Sequence, residues 1–208
     1  MILPNITEEL FPIDRFESPE EYFEFFIFEK NTDLLDTPLY DSLARKDWIK
    51  ATKKLEELPI TEKYIEDEKS VALSKVANEL KNIDLFLPVN QVLFHQGDFP
   101  KEYFPTPLTK ADIGKEFSLL EVFSATLDPY IANIHEGSDI HWCISIKGEN
   151  IRCYPVPCEV QNEYEIIILG SPKVKVKNVV TKERSHFYDE NGIELKGWIK
   201  TIVFVDLY

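Results

Sequence analysis

Glycine, cysteine and long apolar runs are scarce in this chain of 208 residues, and each shortage excludes a class of protein. The seven glycines stand singly, so no glycine-rich loop is available to cradle a phosphate group. Three cysteines are an odd and sparse set, which fits a reducing compartment better than a disulfide framework. No segment approaches the roughly 18 consecutive apolar residues of a membrane helix. Residues 1–10 lack the basic and apolar regions of a secretory signal. We therefore expect a cytoplasmic protein without a membrane partner.

Basic residues are also fewer than acidic ones. The chain has 23 lysines and arginines against 37 acidic residues, a formal net charge of -14. Such a surface repels nucleic acid and anionic lipid, and it suits a basic protein target. A small anionic ligand is not excluded, because it responds to its local pocket rather than to the global charge. The hydrophobic fraction of 44% and the length indicate one folded globular domain.

The N-terminal 88 residues carry helix signals. Ser18 begins a capping box with proline at the first helical position. A second helix is predicted from residues 37–38 until Pro59, which marks its end. Apolar residues recur at three- and four-residue steps over 73–83, which predicts a third helix, and its solvated acidic start is placed at 62–69.

Short β-branched and aromatic runs replace the helical pattern after residue 88. The clearest predicted strands are 92–94, 141–146, 165–169, 174–179 and 198–205. Glu190, Asn191 and Gly192 supply a turn, so the C-terminus is predicted to be an antiparallel hairpin. The division is thus a helical region over 1–88 and a β-rich core over 89–208, which together form one compact domain.

Glu163 and Glu165 stand two residues apart at a strand start, so both side chains point to the same face. One carboxylate of such a pair can stabilise positive charge on a sugar carbon while the other activates a nucleophile. Two exposed acids at the mouth of a strand would give the same pattern. The pair alone therefore does not assign a function.

Two upstream segments add weight to the carboxylates. A predicted strand ends in His95, Gln96 and Gly97, where backbone can approach a ligand closely. A second short strand places Ser124 and Thr126 on one face, and hydroxyls there can position a carboxylate.

These three segments, in this order, resemble the ADP-ribosyltransferase superfamily, in particular its toxin-like branch with an Arg, Ser-Thr-Ser, Glu-x-Glu pattern. The resemblance covers about residues 71–207. It implies an α+β fold in which N-terminal helices pack on two mostly antiparallel sheets, with an NAD cleft between the sheets. It also implies that NAD is the co-substrate and that ADP-ribose passes to a protein acceptor, with arginine as the acceptor residue. The setting would be a phage-encoded or delivered effector that acts in a host cytoplasm.

The resemblance also implies residue roles. Glu165 would bond the nicotinamide ribose and stabilise the transition state, and Glu163 would act on the acceptor. Ser124 and Thr126 would support the nicotinamide half of NAD and hold Glu165 in place. The implied NAD-binding residues are His95, Gln96, Gly97, Ser124 and Thr126, and Tyr154 would contact the acceptor from the loop before Glu163.

Two departures from the family pattern stand out. His95 replaces the motif arginine, with Gln96 placed before Gly97, and Ala125 replaces the middle hydroxyl. A histidine after an aromatic residue is what the diphtheria-toxin and poly-ADP-ribose polymerase branch uses to hold the adenosine ribose, so NAD binding through His95 is expected.

Three alternatives stay open at the level of sequence. An NAD glycohydrolase would use water as the acceptor, a non-catalytic NAD-binding or protein-interaction module would release no nicotinamide, and a nucleic-acid modifier is disfavoured by the net charge. No metal is expected, because His135, Glu136, His141 and Cys143 match no standard zinc spacing.

Overall fold

The structure is a computed structural model. It describes residues 1–13, 16–29, 35–100, 103–104, 108–134, 138–157, 164–184, 187–188, 194–195 and 197–208. Among the residues named above, those outside this part of the chain are Glu163, His135, Glu136 and the predicted turn at 190–192.

The described residues form seven α-helices, six of them before residue 88. They are α1 (Ile6–Leu10), α2 (Pro19–Phe28), α3 (Asp36–Asp41), α4 (Leu43–Ala51), α5 (Pro59–Glu66), α6 (Leu73–Glu79) and α7 (Ile131–Ile134). Short 3-10 turns cover Leu55–Glu57, Glu68–Ser70, Leu80–Asn82 and Lys110–Asp112. None of the helices in the described residues combines the length and apolarity that crossing a membrane requires.

Helix α2 begins where the capping signal predicts. The Ser18 hydroxyl oxygen accepts a hydrogen bond from the Glu21 N–H at 3.1 Å, and Pro19 is the first helical residue. The Glu21 carboxylate accepts from the N–H of Glu17 instead of that of Ser18, so the reciprocal half of the box lies one residue earlier. The aromatic face of α2 is buried in the core, as its helical spacing predicts.

The single helix predicted up to Pro59 is wrong, because the chain forms two helices that meet at Ser42. The Ser42 hydroxyl caps α4 by accepting from the Arg45 N–H at 3.0 Å. The Glu9 carboxylate, from α1, accepts from the N–H groups of Leu43 and Ala44. These side chains satisfy the N–H groups at a helix start, so a new helix begins where the sequence predicted continuity.

The acidic segment 62–69 lies in α5 and in the 3-10 turn that follows it, and not at the start of α6, which corrects the predicted third helix. Pro59 is the first residue of α5, a position that proline favours. The carboxylate of Glu79, on α6, accepts from the N–H groups of Ile60 and Thr61 at 3.1 and 2.7 Å. Helix α6 therefore ends at the residue that caps its neighbour, and 73–83 is helical over a shorter span than predicted.

Ten strands follow the first six helices. They are β1 (Val92–Gln96), β2 (Glu116–Ser118), β3 (Val122–Thr126), β4 (Ile140–Ile146), β5 (Arg152–Pro155), β6 (Glu165–Leu169), β7 (Lys173–Arg184), β8 (Phe187–Tyr188), β9 (Glu194–Leu195) and β10 (Trp198–Leu207). Strands β7 and β10 pair antiparallel from Val174 with Leu207 to Arg184 with Trp198, with one irregularity between Phe204 and Val205, which confirms the predicted C-terminal hairpin. Strands β8 and β9 form a separate antiparallel pair.

The other eight strands form one hydrogen-bonded ladder in the order β2-β7-β10-β4-β1-β3-β6-β5, in place of the two separate sheets that were expected. All neighbours are antiparallel except β4 and β10. Strands β1 and β3 pair only at Phe94 and Thr126. We call β2, β7, β10, β4 and β1 the five-strand block, and β3, β6 and β5 the three-strand block. A single residue pair links the two blocks, and the helices share one hydrophobic core with them.

Candidate active site

A cavity of about 330 Å³ lies where the two strand blocks meet, a size within the range of ligand pockets. Five side chains predicted from three separate segments come together in its lining, namely His95, Gln96, Ser124, Thr126 and Glu165. The remaining lining residues are Ile65, Glu66, Glu68, Phe94, Ala125, Ile131 and Ala132. Three segments that are distant in the sequence therefore meet in one cavity.

Ser124 and Glu165 are joined directly in this cavity. The Ser124 hydroxyl donates to Glu165 Oε1 at 2.6 Å, a short distance typical of a hydrogen bond to a charged acceptor. In the ladder, Glu165 lies opposite Thr126, and Ser124 is its diagonal neighbour on the same face. The register of β3 and β6 thus determines which hydroxyl reaches the carboxylate.

Thr126 lines the cavity and also shapes the turn that follows β3. Its hydroxyl oxygen accepts from the Asp128 N–H at 3.0 Å, and Asp128 in turn accepts from the N–H of Tyr130. Ala125 lies between the two hydroxyl residues and is 3% exposed. Because side chains alternate along a strand, its methyl group points to the face opposite to the hydroxyls of Ser124 and Thr126.

His95 is held by aromatic neighbours. Its ring centroid lies 4.6 Å from that of Phe123 and 5.5 Å from that of Trp142. A Cβ atom at Gly97 would stand 2.5 Å from His95 Nε2, closer than real Cβ contacts allow. The glycine two residues later therefore leaves room for the imidazole ring, which explains the His-x-Gly spacing.

Gln96 and Gly97 are fixed by neighbours from β4 and the segment before it. The Gln96 amide donates to the carbonyl of Ser138 at 2.6 Å. The Gly97 N–H donates to the carbonyl of Ile140 at 3.1 Å, and its carbonyl accepts from Trp142 Nε1 at 2.8 Å. Gly97 is not among the residues that line the cavity. It leaves space for the His95 ring, and the NAD contact expected of it stays a prediction.

Tyr154 also departs from its expected role at the acceptor surface. Its side chain is fully buried on β5, and its hydroxyl donates to the carbonyl of Lys53 at 3.1 Å. Burial, together with the charges of Glu79 and Glu57, raises the pKa of this hydroxyl. Tyr154 is a packing residue because β5 lies beneath the N-terminal helices. The predicted partner carboxylate, Glu163, lies outside the described residues.

Helix α5 and the 3-10 turn after it supply a wall of the cavity that the sequence did not predict. Glu66 and Glu68 line it, and buried Tyr64 lies nearby. The pKa of the Tyr64 hydroxyl is raised by burial first and then by the charges of Glu68 and Glu165. Proline at position 59 followed by an acid three residues later is a helix-start signal that marks this wall in the sequence.

The cavity is acidic. Among its described lining residues, three are carboxylates and none is lysine or arginine, so His95 is the one lining side chain there that can become cationic. A cavity lined in this way attracts cationic groups more strongly than anionic ones.

His141 supports α7 from behind the cavity. It is 1% exposed, its Nδ1 lies 3.1 Å from the carbonyl oxygen of Ala132, and burial lowers its pKa to about 4. The ring is therefore neutral near pH 7, with its proton on Nδ1. In the described part of the chain no group of three or more histidine, cysteine, aspartate or glutamate side chains is arranged to hold a metal ion. The absence of a metal stays a prediction.

No protein-family model matches the chain, and no curated protein matches it by sequence. Solved structures do match it. The ADP-ribosylating toxin BECa of C. perfringens, solved with NADH, superposes with a TM-score of 0.54 at 13% identity over 85% of this chain and 49% of that chain. The enzymatic component C2-I of the Clostridium botulinum C2 toxin gives 0.54 at 11% identity, over 85% and 47%. The chain thus spans about half the length of these proteins. It has the α+β fold of ADP-ribosylating toxins, which confirms the predicted fold class.

Proposed function

We propose that this protein is a mono-ADP-ribosyltransferase, which cleaves NAD at the nicotinamide glycosidic bond and transfers ADP-ribose to a protein acceptor. The observation that carries the proposal is the hydrogen bond from Ser124 to Glu165 Oε1 at 2.6 Å inside the cavity. The fold shared with BECa, a toxin solved with NADH, supports the choice of NAD.

Glu165 is the catalytic carboxylate in this proposal. As nicotinamide leaves, positive charge develops on the ribose carbon, and an anionic carboxylate held beside that carbon stabilises the charge. The charge is present only in the transition state, so the interaction raises kcat more than it tightens substrate binding. Ser124 holds the carboxylate in place before the reaction, which lowers the reorganisation that catalysis requires.

The lining residues fit the nicotinamide half of NAD. The nicotinamide ring of NAD is cationic, and the acidic lining of Glu66, Glu68 and Glu165 favours a cation. Ser124 and Thr126 supply hydroxyls beside it. His95 takes the place of the motif arginine and can bond the adenosine ribose, although it lacks the fork of donors that arginine offers a pyrophosphate.

The acceptor in this proposal is an arginine on a basic target protein in a host cytoplasm, and Glu163 acts on it. The net charge of -14 and the acidic cavity both favour a cationic acceptor. Glu163 would orient the guanidinium group and take up its proton as the new bond forms.

The test uses purified protein, NAD labelled in the adenylate half, and a cell lysate. We expect nicotinamide release and a labelled protein band, and a chelator should change neither. Glu165→Gln should lower both by about a hundredfold to a thousandfold, as removal of a preorganised electrostatic group does elsewhere. Glu121→Gln, at an exposed site outside the cavity lining, is the matched control.

Other outcomes separate the alternatives. Label found only as free ADP-ribose would identify an NAD glycohydrolase. A Glu163→Gln variant should lose transfer while it retains hydrolysis, and equal loss of both would refute the separate roles of the two glutamates. A folded wild-type protein that releases no nicotinamide would refute the enzyme proposal and leave a non-catalytic module.

A further inference from the structure

Arg45 and Tyr164 form a contact next to the proposed catalytic carboxylate. The guanidinium carbon of Arg45 lies 4.6 Å from the centroid of the Tyr164 ring. A cation over an aromatic face is attracted to it within roughly 6 Å. Tyr164 directly precedes Glu165 and is 5% exposed. Whatever fixes this ring therefore also fixes the start of the strand that carries Glu165.

The backbone of Tyr164 is in an unusual conformation. Its φ is +49°, in the left-handed region that bulky side chains rarely adopt. Its carbonyl accepts from the Leu127 N–H at 3.1 Å, and the next residue begins the paired part of β6. A strained residue persists only where its surroundings hold it, and the contact with Arg45 is part of those surroundings.

Arg45 extends from an anchored helix start. It lies in the first turn of α4, where its N–H donates to the Ser42 hydroxyl oxygen at 3.0 Å. The carboxylate of Glu9 accepts from the N–H groups of Leu43 and Ala44 at 2.9 and 2.8 Å. The backbone at the start of α4 is therefore held by Glu9 of α1 and by Ser42, the residue before α4.

We propose that Arg45 is a positioning residue for Glu165 and acts through the ring of Tyr164, an inference that rests on the proposed function. Without the contact, Tyr164 relaxes from its strained φ and the Glu165 carboxylate moves away from the Ser124 hydroxyl. Arg45 is not among the residues that line the cavity, so in this proposal it acts on Glu165 without contacting NAD. Its loss should consequently reduce kcat and leave the KM for NAD nearly unchanged.

Two pairs of variants separate positioning from packing. Arg45→Met removes the cation and keeps the length, while Arg45→Lys keeps the cation. Tyr164→Leu removes the aromatic face, while Tyr164→Phe keeps it. We expect kcat for nicotinamide release to fall by about tenfold to a hundredfold in the first member of each pair. The second member should retain most of the activity. Lys46→Met, which removes an exposed cation from the same helix, is the matched control.

A second readout does not depend on activity. The side-chain carboxyl resonance of Glu165, assigned by its loss in Glu165→Gln, should shift in Arg45→Met and stay in place in Arg45→Lys. An unchanged resonance in folded Arg45→Met overturns the positioning role, whether or not the protein turns over NAD. The positioning role is also overturned if Arg45→Met changes the KM for NAD and leaves kcat unchanged. It is overturned as well if Arg45→Met and Arg45→Lys lower kcat equally. An inactive wild type with the expected resonance shift refutes the proposed function alone.

Discussion

At the scale of single residues, the hydroxyl of Ser124 is the clearest test of how Glu165 is held. A hydrogen bond to a charged group contributes about 1.5 to 3 kcal/mol, so Ser124→Ala should lower kcat for nicotinamide release by roughly tenfold to a hundredfold. Ser124→Thr keeps a hydroxyl and should recover much of the rate. Steady-state kinetics would show this, with Ser118→Ala, at an exposed position of β2, as the control. Equal kcat in Ser124→Ala and wild type would contradict the role.

His95 gives a second prediction at this scale. His95→Ala should weaken NAD binding by about 0.5 to 1.5 kcal/mol, the contribution of a neutral hydrogen bond. His95→Arg should bind NAD at least as tightly as wild type if the N–H donors of its guanidinium group reach the pyrophosphate. Calorimetric titration measures both affinities, and thermal melts check the fold because His95 packs on Phe123 and Trp142. Unchanged affinity in both variants would exclude His95 from the NAD site.

The residues that were predicted and those that were missed differ in what determines their positions. Ser124, Thr126 and Glu165 were predictable because strand alternation is local and their faces follow from it. The burial of Tyr154 and the arrival of Glu66 at the cavity depend on how helices pack over the sheet. Such long-range packing leaves no periodic pattern in the sequence.

At the scale of elements, the cap that Glu79 provides for α5 supports one wall of the cavity. Its carboxylate accepts from two N–H groups and from the hydroxyl of Thr61. Loss of a helix cap typically costs about 0.5 to 2 kcal/mol, so Glu79→Ala should lower the free energy of unfolding by that amount. Denaturant titration would measure it, with Glu57→Ala at an exposed site as the control. A variant as stable as wild type would show that the cap is dispensable.

Element boundaries show the same division between local and distant causes. The bounds of β6 agree with the predicted 165–169, because flanking turn residues and an aliphatic run define it locally. The break at Ser42 was missed, since it depends on Glu9 from another helix. The joining of the strand blocks through Phe94 and Thr126 is likewise a tertiary contact that no local pattern encodes.

At the scale of the whole molecule, His141 should make stability depend on pH. Burial lowers its pKa from 6.5 to about 4 in the folded protein. Below pH 6.5 the His141 imidazole binds a proton in the unfolded chain but not in the folded chain. The free energy of unfolding therefore falls as the pH drops from 6.5 to 4. The full loss is about 3 kcal/mol, because one pKa unit corresponds to 1.36 kcal/mol.

Denaturant titrations at several pH values would measure this slope. His141→Gln should be less stable at pH 7 and should show a flatter profile between pH 6.5 and 4. The lowered pKa values of the Glu9 and Asp112 carboxyls add their own losses only below their ordinary values of 4.5 and 3.8. An equally steep profile in His141→Gln would assign the slope to another group.

The single pair between Phe94 and Thr126 has a mechanical consequence. Within each strand block, consecutive hydrogen bonds resist bending, whereas a single residue pair joins the two blocks, so we expect the ladder to bend most easily at this pair. The cavity lies at this pair, with His95 in the five-strand block and Glu165 in the three-strand block. A ligand that contacts both residues should therefore restrict the movement of one strand block relative to the other. The amide protons of β1 and β3 should exchange with solvent more slowly once the ligand is bound, while those at the centre of β10 should keep the same rate.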